Sequence, residues 1–248
     1  MAFRGLSWII VPGLGLASLP PQTSAPAMAP AEPRPLILGH RGYSAHYLEN
    51  SAEAFRGALD AGMDGFELDA QLSADGVSCV LHDDDFRRTA LGCGRLRRMA
   101  TARFPRLRNG EKVPLLSEIL GLPSPLVVVE LKGAPGWQQA LEAVRATGAL
   151  ERVVFSSFDH AEIHQLRQAC PEARCGLLWD RPAALCLSAA DLDRLDPGLT
   201  LHLPLDAVRA RPDFWRTHAP RLVLWGMGNP SEVANLGFQP AALIVDGL

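Results

Sequence analysis

The sequence predicts an α/β protein built as a (β/α)8 TIM-type barrel, irregular between its second and third strands. Three observations predict it. From Leu36 onward short apolar runs alternate with helical patterns, which is how parallel strands joined by crossover helices read. The 248 residues are enough for one large core and fall in the range where α/β barrels run as a single domain. The number of candidate strands is also close to the eight of a barrel.

Those strands are residues 36–38, 65–69, 77–81, 126–131, 152–155, 175–179, 199–203, 221–225 and 242–245. Helix signals lie between them. Asn50 with Glu53 reads as a cap ahead of Phe55 and Leu59, and Trp137, Leu141 and Val144 form an apolar stripe ending at Gly148. Asp159 with Glu162 repeats the cap, before a stripe of Ile163, Leu166 and Cys170 that Pro171 stops. Residues 70–76 are too few for a helical crossover, which takes at least ~10 residues, so an extended return is expected there. Nine candidates exceed eight, and no helix pattern follows Val245. A doubly wound open sheet is the alternative architecture.

Residues 1–35 form a separate, signal-like and Pro-rich segment ahead of a barrel domain at 36–248. Met1 to Arg4, the apolar run from Gly5 to Leu19, and Ala25-Pro26-Ala27 have the order of a secretory signal and its cleavage site. That reading gives a periplasmic or secreted protein; the competing reading starts translation near Met28 and gives a cytoplasmic one. The apolar run is shorter than the roughly 20 residues of a spanning helix, so no stable membrane span is expected.

A formal net charge of −3 with 21% charged residues carries no basic excess, which sets nucleic acid aside as a partner. The five cysteines are odd in number and widely spread, implying neither a disulfide framework nor a zinc site.

In a parallel barrel the loops at the carboxyl ends of the strands converge on one face. The first candidate strand ends in Gly39-His40-Arg41-Gly42, the second in Glu67-Leu68-Asp69, the third in His82-Asp83 and the next in Glu130-Leu131-Lys132. Residues at i and i+2 of a strand share a face, so Glu67, Asp69 and Glu130 can share one site. Three facing carboxylates repel unless a hard divalent cation, Ca²⁺ or Mg²⁺, lies between them. Arg41 and Lys132 suit a phosphate group. His40 and His82 can divide acid and base work around it.

These segments, with Leu48-Glu49-Asn50-Ser51, Ala54-Phe55, Asp75-Gly76, Arg88-Thr89 and residues 113–120, resemble in order and spacing the hallmarks of glycerophosphodiester phosphodiesterases. The resemblance is strong over residues 36–160. It implies a glycerophosphodiester as the small-molecule substrate and a divalent metal held by Glu67, Asp69 and Glu130. It further implies catalysis by His40 and His82, phosphate contacts from Arg41 and Lys132, and an alcohol and sn-glycerol 3-phosphate as products. The chain departs from the family pattern at Leu48, Ser51, Trp225-Gly226-Met227-Gly228-Asn229 and Val245-Asp246-Gly247, none of them the proposed metal or acid/base residues. Two other readings remain: a phospholipase-like relative acting on lysolipids, and a phosphodiester-binding protein without turnover.

His46, His160, His164, His202 and His218 read as structural. Trp225 either stacks on the glycerol carbons of a substrate or packs inward as core. Glu49 and Asn50 read as cap residues with a supporting role at the metal. The arginines between Arg95 and Arg108 read as a solvated face.

Overall fold

The computed structural model describes residues 34–133 and 136–248, so the signal-like segment expected at 1–35 lies almost wholly outside the described residues. The order of elements is β1 (Leu36–Gly39), α1 (Ala52–Asp60), β2 (Gly65–Leu72), β3 (Ser78–Val80), α2 (Leu116–Leu120) and β4 (Leu126–Leu131). Then follow α3 (Trp137–Ala146), β5 (Val153–Ser157), α4 (His160–Ala169), β6 (Arg174–Leu178), α5 (Arg181–Cys186) and α6 (Ala189–Asp193). The chain ends with β7 (Thr200–Pro204), α7 (Leu205–Ala210), α8 (Pro212–Arg216), β8 (Leu222–Met227) and β9 (Ala242–Val245). No helix among the described residues is long and apolar enough to cross a membrane.

Strand β4 shows how the sequence builds two layers. Its Leu-Val-Val-Val-Glu-Leu run is apolar on both faces, as a strand covered on both sides must be. Val127, Val129 and Leu131 pack outward with Phe55, Leu141, Val144 and Ile163 of the surrounding helices. Leu126 and Val128 point inward to a second cluster with Leu38, Val154, Val223, Ala242 and Ile244. The inward row of β4 ends at Glu130, so the same alternation that fills the barrel floor delivers a carboxylate to its rim.

The parallel strands run in the order β1-β9-β8-β7-β6-β5-β4-β2, and the β1–β2 pairing closes the ring. That closure excludes the doubly wound open sheet. The ninth strand candidate is β3, which pairs antiparallel with β2, so it is a hairpin arm and not a barrel stave. Strand β2 runs on to Leu72, beyond its last parallel partner at Ala70. The return through β3 brings Leu81 back to hydrogen-bond the Asp69 carbonyl. The expected extended return therefore holds, but His82 reaches the rim from a descending strand rather than from the end of a parallel one.

Helix α1 is capped differently from the sequence expectation. Ser51 accepts from the Ala54 amide as N-cap, while Asn50 lies in the left-handed region at φ 56°. A buried carboxylate nearby takes the Asn50 side chain instead. The α4 cap does form: Asp159 accepts from the Ala161 and Glu162 amides.

Candidate active site

The parallel register of β2 and β4 sets Asp69 beside Glu130 and Glu67 beside Val128. Glu67, Asp69 and Glu130 bring ligand oxygens within 4.8 Å of one another, the one such group among the described residues. Glu67 and Asp69 are buried. Burial, and then the Asp69 charge, push the Glu67 carboxyl up to about 8; burial and Asp69 raise Glu130 in the same way. Asp69 Oδ1 is buried without a hydrogen-bond donor. A clustered, desolvated carboxylate set with an orphaned oxygen is what a hard divalent cation satisfies, so these residues fit one.

The cations expected from sequence stand beside this cluster. Lys132 Nζ donates to Glu130 at 2.8 Å and lies 3.5 Å from Asp69 Oδ1. Arg41 donates through Nη1 to Glu49 at 2.8 Å, and its Nε lies 3.3 Å from Asp69 Oδ2. Arg41 and Asn50 are the two non-glycine residues with positive φ among the described residues. Such strain persists only where the surroundings fix it. Here the Arg41 amide donates to Glu67 at 3.0 Å. The Asn50 amide donates to the Arg41 carbonyl, and Asn50 Nδ2 donates to Asp69 at 2.7 Å. One strained turn after β1 thus orients two of the three carboxylates.

Both candidate acid/base residues are held at Nδ1, His40 by Asp246 at 2.7 Å and His82 by Asp83 at 2.8 Å. Burial opposes charging of His40, but the Asp246 hydrogen bond and the Glu67 charge outweigh it and raise the imidazole above its usual value. The Arg88 guanidinium, and with it His82, hold Asp83 down at about 2. Arg88 also clamps Glu49 with two hydrogen bonds of 2.5 and 2.7 Å, tying the His82 arm to the Arg41 turn. Beneath His82, Gln71 Nε2 donates to the carbonyls of Leu81, His82 and Asp83 at 2.7, 3.0 and 2.8 Å.

All eight sequence-selected residues but Asp69 line one cavity of about 320 Å³ at this end of the barrel: His40, Arg41, Glu67, His82, Glu130, Lys132 and Trp225. Asp69 lies behind it, fully buried. Trp225 packs on the inner barrel cluster, as one of its two expected roles requires, and also lines the cavity, edge-on to Phe158. Sequence reasoning missed the supporting groups Asp246, Asp83, Gln71 and Arg88. Asp246 follows the last strand as His40 follows the first, and that parallel was the available signal. It also took His202 as structural, yet this side chain lines the cavity.

Comparison with known proteins gives a consistent answer. Residues 40–195 match the model described as the Glycerophosphoryl diester phosphodiesterase family. A glycerophosphodiester phosphodiesterase of Caldanaerobacter subterraneus subsp. tengcongensis is 34% identical over 161 residues, covering 58% of this chain and 66% of the relative. Glycerophosphodiester phosphodiesterase 1 of Bos taurus is 35% identical over 156 residues, covering 56% and 45%. The chain thus spans just under two thirds of the length of the bacterial relative. The crystal structure of the Thermotoga maritima glycerophosphodiester phosphodiesterase superposes with a TM-score of 0.71 at 27% identity, covering 87% of this chain and 96% of that one. An Oleispira antarctica phosphodiesterase, solved in complex with the product sn-glycerol-3-phosphate, has the same fold at a TM-score of 0.71 and 21% identity, covering 86% and 93%.

Proposed function

The chain belongs to the glycerophosphoryl diester phosphodiesterase family, and on that premise we propose that it hydrolyses glycerophosphodiesters to an alcohol and sn-glycerol 3-phosphate, with His40 and His82 as the acid/base pair. The observation that carries this reading is the placement of two carboxylate-braced imidazoles in one cavity with the Glu67–Asp69–Glu130 cluster. A binding protein has no need of two such titrating groups. The names of the relatives support the same substrate class.

Arg41 and Lys132 draw the anionic phosphate to the rim. Both are already paired with carboxylates, so they are fixed in place before substrate arrives. Glu67, Asp69 and Glu130 would hold a calcium or magnesium ion, which would supply positive charge against the negative charge that develops on the phosphoryl oxygens. One imidazole accepts the proton of the attacking water as its oxygen bonds to phosphorus; the bond from phosphorus to the leaving alcohol breaks, and the other imidazole protonates that oxygen. Asp246 and Asp83 hold each ring by its Nδ1–H and leave Nε2 for the transfer.

The test is release of glycerol 3-phosphate from glycerophosphocholine and glycerophosphoethanolamine, with and without chelator, in wild type and His40→Ala. Chelator-sensitive release that disappears in the variant is expected. No release with any divalent ion added would overturn the reading.

A further inference from the structure

Besides Arg41 Nε, which lies 3.3 Å from Asp69 Oδ2, three buried polar atoms of cavity-lining residues have no hydrogen-bond partner among the described residues: Ser156 Oγ, Trp225 Nε1 and His202 Nδ1. None belongs to the carboxylate cluster or the acid/base pair. Buried polar groups are nearly always satisfied, so three orphans in one cavity mark a place where something polar binds.

His202 is the informative member. It is fully buried on β7, and its ring lies across Gly176 of the neighbouring strand β6, where a Cβ would come within 2.3 Å of Nε2. Glycine there makes the room that seats an imidazole inside the barrel. Nε2 is engaged by Thr200 Oγ1 at 2.9 Å, and Thr200 Oγ1 also lies 3.4 Å from the Cys175 carbonyl. Nδ1 is left without a partner. Burial pushes this imidazole down to about 3, so the ring stays neutral at any working pH and Nδ1 can pair with a hydroxyl in either tautomer.

Val128, Leu178 and Ile244 line the same cavity. An apolar wall makes an ammonium a costly donor and a neutral hydroxyl a suitable one. Trp225 Nε1 is a donor only, and the Ser156 hydroxyl can take either role. A neutral imidazole nitrogen, an indole donor and an adaptable hydroxyl together complement two neighbouring hydroxyl groups, each of which can donate or accept.

We propose that His202 is a specificity-determining residue whose Nδ1 forms a hydrogen bond with a free hydroxyl on the glycerol arm of the substrate, with Ser156 and Trp225 completing a diol-reading pocket. This rests on the hydrolase reading for its substrate, and it predicts that diesters with an acylated or deoxygenated arm are turned away. A site built to bond a hydroxyl leaves its own polar groups unpaired when the hydroxyl is missing.

The test separates the two readings by measuring binding as well as turnover. Glycerol 3-phosphate and propyl phosphate, which lacks both hydroxyls, are titrated calorimetrically with magnesium or calcium present, against wild type, His202→Leu and His202→Asn. Wild type should prefer glycerol 3-phosphate on the order of ten- to a hundred-fold. The preference should collapse towards one in His202→Leu and be partly kept in His202→Asn, whose side-chain amide offers both a donor and an acceptor near the place of Nδ1. Ser156→Ala gives a second, milder reduction and serves if the leucine variant does not fold. The matching turnover comparison is glycerophosphocholine against propylphosphocholine. A wild type that cleaves neither diester yet keeps the binding preference sinks the hydrolase reading and sustains the role of His202. A preference near one in wild type, or one unchanged in His202→Leu, overturns it and leaves the three orphans to bound water.

Discussion

His40 Nδ1 lies 2.7 Å from Asp246 Oδ1, across 206 positions of sequence, joining the residue that follows the first barrel strand to the one that follows the last. The contact exists because β1 and β9 are paired neighbours in the closed ring. It makes closure of the barrel part of the assembly of the acid/base pair. A group that orients an imidazole fixes both which nitrogen carries the proton and how readily the ring charges.

Asp246→Asn keeps the shape of that contact and removes its charge. The expected loss is roughly ten- to a thousand-fold in kcat/KM. The His40 limb of the pH–rate profile should also move to lower pH. In wild type the Asp246 carboxylate helps outweigh burial and raises His40; without it, burial lowers the ring. A pH profile of the variant with an unmoved limb would separate Asp246 from His40 function.

Gln71 positions His82 by donating to three successive carbonyls. Gln71→Leu should lower kcat and cost about 1–3 kcal/mol of stability, because buried carbonyls lose their donor. Gln71→Glu should be worse than Gln71→Leu near neutral pH, since a carboxylate is an acceptor facing acceptors. Urea midpoints and turnover of both variants check the order; equal midpoints would show that the carbonyls find other donors.

The strands, the extended return and the gathering of His40, Glu67, Asp69, Glu130 and Lys132 at one end of the barrel were legible because they follow local rules. Alternation along β4 and β2 puts Glu130, Glu67 and Asp69 inside, and alternation is visible in any single segment. His82 was found as a residue, but its strand was misassigned as a stave, because an antiparallel arm and a parallel stave have the same local pattern. Asn50 was read as a cap with a supporting role at the metal; the cap falls to Ser51, and Asn50 makes instead a tertiary contact with Asp69. Asp246, Arg88 and Gln71 act through partners brought near only when the ring closes or the hairpin folds back. His202 was dismissed since a lone histidine in a strand carries no chemistry until its neighbours show which nitrogen is free.

The carboxylate cluster should be a liability in the metal-free protein. Burial and Asp69 raise the Glu67 carboxyl to about 8. A raised acid gives stability that is full below its unfolded value, near about 4.5, and is lost as pH rises through the folded value. Chelated wild type should therefore lose thermal stability across that window, and Glu67→Gln should remain flatter and melt about 3–10 °C higher near its upper end. Adding magnesium or calcium should raise the wild-type midpoint far more than that of the variant. Calorimetry in which chelator and variant leave the pH dependence unchanged would mean the carboxylates are not strained against one another.

Gly176 should be required by the imidazole beside it. A Cβ there would lie 2.3 Å from His202 Nε2 and 2.4 Å from Thr200 Oγ1, both side-chain atoms. Gly176→Ala should thus cost about 1–3 kcal/mol through overpacking. It should also displace the His202 ring and so weaken the preference for hydroxyl-bearing ligands. The two residues touch, so their effects should not add. His202→Ala in the Gly176→Ala background should recover part of the lost stability, because the smaller side chain vacates the space the new methyl enters. Urea denaturation of the single and double variants measures the coupling, and strict additivity would show that the ring is not what excludes a side chain at position 176.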